Sequence, residues 1–185
     1  MENILETGKL LISEPFSQDV NFKRTVVLIS DYRVEDGTVG FVLNRPTNLK
    51  INDLLSDFPE IDSKVYYGGP VAIDTIHYIH CKGDIVDDSR FISKGLFWGG
   101  NFDKLKFLID AGLILASDIK FFIGYSGWSP GQLEEEMVEK SWIIADMDIN
   151  YAFTNKIPDI WHHVLNAKGA NYKVIADMSD SFSLN

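Results

Sequence analysis

The chain has 185 residues, 45% hydrophobic and 12% aromatic, a composition that suits one domain with a sizeable core and excludes an intrinsically disordered protein. Its formal charge of -10, from 27 acidic and 17 basic residues with no basic stripe, disfavours direct binding to a phosphate backbone. The one cysteine, Cys81, excludes an internal disulfide and a zinc site built on several thiolates, and no apolar run approaches the roughly 20 residues of a membrane-crossing helix.

At the start, MENILETGK carries Glu2 and Glu6 where a secretory signal has positive charge, so a reducing cytoplasm is the expected location. The stretches KLLIS (9–13), RTVVLIS (24–30), TVGFVLN (38–44), KVYYGG (64–69) and TIHYIHC (75–81) then read as strands separated by Gly, Pro, Asn and Asp. The link between the second and third is too short for a crossover helix, which makes them an antiparallel pair. VVLI is apolar on both faces and predicts a covered, central strand. In TVGFVLNRP, Val39, Phe41 and Leu43 share a face, and Pro46 stops the strand with residues 44–47 as a turn.

INDLLSDF predicts a short helix and NFDKLKFLIDAG a firmer one, with Asn101 as cap, Phe102, Leu105, Leu108 and Ile109 as the apolar stripe, and Gly112 as the stop. DIKFFIG (118–124) is another covered strand, and SWIIAD (141–146) a strand or edge. IPDIWHHVLNAKG predicts a helix with Pro158 in its first turn, Ile160, Trp161, Val164 and Leu165 facing inward, and Gly169 at its end. The polar end, 178–185, is expected to fray. Strands clustered early and helices mixed in later, with short connections, predict a single α+β domain over residues 1–185 rather than a regular βαβ repeat.

GYSGWSPGQLEEEM (124–137) admits three readings. A nucleophile elbow, G-x-S-x-G, would expose Ser126, with a histidine as its base, and open a hydrolase or transferase reading. Here the second glycine, Gly127, comes one place early and Trp128 stands where space is required. The structural reading makes Ser129–Gln132 a capping box, in which the Ser129 oxygen accepts from the Gln132 N–H and the Gln132 side chain reaches back to Ser129. It places Pro130 at the first helical position, Glu134, Glu135 and Glu136 at the positive end of the helix dipole, and Leu133 and Met137 inward. Gly124 and Gly127 become a flexible exit from the preceding strand, across which Trp128 packs. A third reading keeps the cap and uses the N–H groups at Gly131 and Gln132 for an anion or a partner's carboxylate. The structural reading accounts for most of these residues.

Elsewhere the candidates are sparse. His77 and His80 fall on opposite faces of a strand, and the neighbours His162 and His163 diverge on a helix, so no shared metal is expected. Cys81 lacks a positive cluster and reads as a small apolar residue. Asp19, Arg24, Asn44, Arg45 and Asp74 sit at strand ends, where both binding and turn roles concentrate. Gly68 and Gly69 before Pro70 allow close approach of a backbone or ligand, but read first as a glycine turn ending a strand, and no P-loop or G-x-G-x-x-G cradle accompanies them. No cofactor is implied.

In order, GKLLIS, the D-x-x-F-x-R-T-V-V-L of Asp19 to Leu28, GFVLNRP, YYGGPV, IHYIH and GYSGWSPGQLEEEM followed by SW resemble the bacterial AlgH family, also known as YqgE, over roughly residues 8–170. The resemblance implies one cytoplasmic α+β domain whose strongly bent, partly barrel-like, mainly antiparallel mixed sheet is packed with helices. Its usual label is transcriptional regulator, and it supplies no agreed active site or cofactor. Many relatives carry Ala at Ser126 and Gly-Ala at Ser129-Pro130. The matching positions are Arg24, Thr25, Asn44, Arg45, Pro46, Gly68, Gly69, Pro70, Gly124, Gly127, Trp128, Gly131, Gln132 and Glu134. A non-enzymatic regulatory or binding domain follows, acting through a protein partner or small ligand, with any effect on transcription indirect. Arg24, Asn44, Arg45, Trp128 and Gln132 are its candidate binding residues.

Overall fold

The computed structural model describes residues 4–153 and 157–183. Among them the elements run β1 (Lys9–Ser13), β2 (Val26–Arg33), β3 (Gly37–Val42), β4 (Pro46–Lys50), α1 (Ile51–Leu54), β5 (Lys64–Tyr67), β6 (Val71–His80), β7 (Arg90–Ser93), β8 (Leu96–Trp98), α2 (Phe102–Asp110), β9 (Ile119–Trp128), α3 (Gln132–Val138), β10 (Trp142–Asp146), α4 (Ile149–Phe153), α5 (Ile160–Lys168) and α6 (Ala170–Ser183). The strands make one strongly curled, open sheet in the order β10-β1-β2-β3-β9-β6-β8-β7. A β4–β5 branch joins it where β5 runs parallel to β9, and the other pairings are antiparallel. This is the mixed α+β architecture that the strand and helix patterns predict.

β2 shows why the sheet is covered on both sides. Val26 and Leu28 enter a cluster with Trp161, Val164 and Leu165 of α5, whereas Val27 and Ile29 meet Trp128, Trp142 and Leu133 of α3 on the other face. All four β2 residues are fully buried. A third cluster lies under α1 and α2, where Ile51, Leu105, Leu108 and Ile109 pack on Ile119 and Phe121 of β9. Asn101 caps α2 by accepting from the Lys104 N–H, and Gly112 follows its end at φ +70°.

Several boundaries differ from expectation. Pro46 starts β4 rather than merely ending a turn, because the first residue of a strand can lack a ladder donor. Pro158 precedes the helix, whose N-cap is Asp159 accepting from the His162 N–H at 3.0 Å. The β7–β8 hairpin, α4 and α6 have no counterpart among the sequence expectations. α6 carries helix through residues 178–183 of the segment expected to fray, and residues 184–185 lie outside the described residues.

Candidate functional site

The serine–glycine stretch is strand rather than elbow. β9 continues to Trp128, with Gly40 opposite Ser126 and Val39 opposite Gly127. Ser126 is fully buried, and its hydroxyl donates to the Gly68 carbonyl at 3.0 Å. Neither Gly124 nor Gly127 is therefore a flexible exit. Close backbone approach explains Gly68, Gly69 and Gly124: a Cβ on Gly68 would stand 2.4 Å from the Gly124 carbonyl oxygen, one on Gly69 2.3 Å from the Tyr125 carbonyl carbon, and one on Gly124 2.6 Å from the Gly69 carbonyl oxygen. The strand end before Pro70 lies directly on the backbone of β9. Because the Gly68 carbonyl also accepts from the Val42 N–H, Ser126→Ala leaves it satisfied. That substitution should cost about 1 kcal/mol in urea unfolding and leave ligand binding unchanged; loss of an activity would show that Ser126 does chemistry.

Beyond Trp128, the cap is only half as expected. The Gln132 side chain accepts from the Ser129 N–H at 3.0 Å, but the Gln132 N–H donates to the backbone carbonyl of Ser129 rather than to its hydroxyl. The N-cap is Gly131 at φ +80°, which leaves Pro130 in the preceding turn and the Gln132 amide engaged. Trp128 and Trp142 both donate to the Glu136 carboxylate, at 2.9 and 2.7 Å, and the Gln132 amide donates to it at 3.0 Å. Phe22 packs on both indoles. Trp128 and Gln132 thus line a cavity of about 390 Å³ on the α3 side, with Glu136, Glu139 and Asp19.

The other candidates gather elsewhere, so the five do not share one cavity. Asn44 accepts from the Val26 N–H and donates to the Arg24 carbonyl, tying β2 to the end of β3. Arg45 donates to the carbonyls of Val20, Asn21 and Lys23 and so clamps the loop leading into Arg24. Held from both sides, Arg24 adopts a left-handed φ of +56°, uncommon for a residue with a Cβ. Its guanidinium lies 4.8 Å from the Trp161 ring centroid and 3.2 Å from His162 Nε2. His162 Nδ1 faces Asp159 at 2.6 Å. Burial opposes ionisation of Asp159, but hydrogen bonds from the His162 backbone and ring hold its carboxyl below the ordinary range.

Arg24 and Asn44 open onto a cavity of about 550 Å³ between the β4–β5 branch, β9 and the start of α5, lined also by Lys64, Tyr66, Lys120 and Asp159. Lys120 is the residue that sequence reasoning missed. Alternation along β9 sends Ile119 and Phe121 to the α2 side and turns Lys120 the other way. It is only 8% exposed; its ammonium donates to the Leu43 carbonyl at 3.1 Å and lies 3.9 Å from the Tyr66 ring centroid. Among the described residues, no carboxylate forms an ion pair with it. Burial without a counter-charge pushes its pKa from 10.5 down to about 7. The available signal was a lysine inside DIKFFIG, a strand read as covered on both faces. An adjoining cavity of about 300 Å³ shares Lys64, Tyr66 and Lys120.

The histidines stay apart. His77 packs against Phe41, Trp98 and Tyr125, whereas His80, on the opposite face, is fully buried within reach of the Gly99 carbonyl and Ser89. Burial lowers the pKa of both. His163 meets Tyr151, away from His162. Burial, then Asp118, raises the Cys81 thiol. Asp19 accepts from the N–H groups of Asn21 and Phe22 in a turn, and Asp74 is exposed on β6.

The chain is similar to known proteins along nearly its whole length. The AlgH-like (DUF179) family model matches residues 10–173. A UPF0301 protein of Chlorobaculum tepidum is 42% identical and one of Chlorobaculum parvum 40%, each over 182 residues covering 98% of this chain and 97% of the relative. The solution structure of the AlgH protein from Pseudomonas aeruginosa superposes with a TM-score of 0.72 at 27% identity, covering 95% of this chain and 96% of that one. A crystal structure of a Corynebacterium diphtheriae protein gives 0.80 at 20% identity, covering 95% and 94% of the two chains, and shares the fold. The chain belongs to the AlgH-like family.

Proposed function

We propose that this protein is a non-enzymatic regulatory domain of the cytoplasm that binds a small anionic ligand in the Lys120 cavity. One observation carries the reading: on a chain of net charge -10, this cavity gathers Arg24, Lys64 and Lys120 with Asp159 as the one acid among the described residues that line it. A cavity with an excess of positive charge concentrates anions, and the protonated form of a buried lysine that makes no ion pair among the described residues attracts them with little screening by water. Its size fits a metabolite rather than a polymer. Any effect on transcription then passes through a protein partner that reads the liganded state, because the surface charge opposes a direct grip on nucleic acid. The alternative, a hydrolase or transferase built on Ser126 or a histidine, is weakened by the burial of Ser126 and by the engagement of His162 with Asp159 and Arg24.

Titration with inorganic phosphate at low salt, followed by amide NMR, tests the reading. Saturable shifts should gather at Arg24, Asn44, Lys64 and Lys120, and Lys120→Met should weaken binding about tenfold or more, the worth of one charge-assisted contact. Shifts centred on Trp128 and Gln132 would move the ligand to the α3 cavity, and tight retention on heparin would overturn the indirect route.

A further inference from the structure

Lys120 differs from an ordinary anion-binding lysine in a way that bears on the ligand's chemistry. A lysine that only attracts anions works best exposed to water, as Lys64, which also lines the cavity, is. Lys120 instead springs from the second residue of β9, is only 8% exposed, and lines two adjoining cavities at once. One N–H is committed to the Leu43 carbonyl and the Tyr66 ring covers another side. When the amine is neutral, its lone pair is left for a guest in the cavity.

We propose that Lys120 is a covalent capture site, its amine condensing reversibly with the aldehyde or ketone group of a small anion such as a 2-oxo acid, a step that rests on the anion-binding reading above. The nitrogen lone pair attacks the carbonyl carbon, and an amine proton passes to the carbonyl oxygen to give a carbinolamine. Loss of one water then forms the C=N bond. No electrons change hands, so no redox partner is needed. Desolvation with no ion pair among the described residues is an environment in which a lysine becomes a nucleophile near neutral pH. The same cations, Arg24 among them on its Trp161 seat, face the carboxylate of such a guest. The other ionisable groups bordering Lys120 are Tyr66, Asp159 and Asp62, and Asp62 is already paired with Lys50 at 2.8 Å.

The test is reductive trapping on the intact protein. Pyruvate with cyanoborohydride at pH 7, followed by peptide mass mapping, should label Lys120 about tenfold or more faster than the average surface lysine, which is almost wholly protonated at that pH. Lys120→Arg, which cannot form the imine, should abolish that adduct, and in the unaltered protein lactate, the analogue without a carbonyl, should shift the cavity resonances without leaving one. Labelling spread evenly over the lysines, with pyruvate and lactate still shifting the cavity resonances, would overturn covalent capture and leave the anion site standing. Absence of both labelling and binding would remove the two together.

Discussion

Replacing Lys120 with methionine should make the protein more stable at pH 7 and below, with an advantage that shrinks as the pH rises toward 10. The folded-state pKa of about 7 lies below the ordinary value of 10.5, so between these limits the unfolded chain holds a proton that the folded chain does not. Stability of the native protein therefore rises with pH across this window, by about 1.4 kcal/mol per pH unit. Below pH 7 both states are protonated and the full cost of burying the ammonium is present. Methionine has similar length and no charge, so it removes a penalty of roughly 3–5 kcal/mol, less about 1 kcal/mol for orphaning the Leu43 carbonyl. Arg24, Lys64, Tyr66, Asp159 and Asp62 line the cavities in both proteins, so the difference between the two isolates position 120. Urea midpoints of the two proteins at pH 6.5, 8 and 9.5 should converge. Parallel curves would mean that Lys120 reaches water and carries its charge throughout.

Gly69→Ala should be the most damaging single methyl in the chain. Gly69 has φ +151°, and the added Cβ would lie 2.3 Å from the Tyr125 carbonyl carbon and 2.4 Å from the Ser126 nitrogen. Those are backbone atoms of the strand that joins β3, β5 and β6, so no side chain can swing aside. A loss of about 4 kcal/mol or more is expected, enough to consume much of a typical domain's stability. Gly112→Ala is the control: at φ +70° and with open space around it, the change should cost only the backbone strain of about 1–2 kcal/mol. Equal destabilisation of the two variants by chemical denaturation would mean that conformation alone matters and that the close approach of residues 68–69 to β9 does not.

What could be read from the chain and what could not divide along a physical line. Periodic patterns made β1, β2, α2 and α5 legible, because one buried face imposes its own spacing on the sequence: VVLI for a strand covered twice, Leu105, Leu108 and Ile109 for a helix covered once. The glycines of GYSGW were legible as special positions but not as strand. Gly124 looks like a breaker until Gly68 and Gly69, nearly sixty residues away, are laid against it, and no local pattern carries that contact. The same holds for the site. Asn44 and Arg45 stood out as polar residues at a strand end, and both turn out to shape the loop that presents Arg24. Lys120 lay hidden because a lysine in an apolar run ordinarily snorkels outward, and only the packing of Tyr66 and the residues around α5 keeps it from doing so.

The most direct measurement is the titration of the Lys120 side chain by NMR of protein labelled at the lysine ε-carbons, with and without inorganic phosphate. The Lys120 signal should titrate near pH 7, well apart from surface lysines, and phosphate should move its midpoint upward, since an anion at the cavity favours the charged form. A Lys120 midpoint above 10 that phosphate leaves in place would contradict a buried amine at the centre of an anion site.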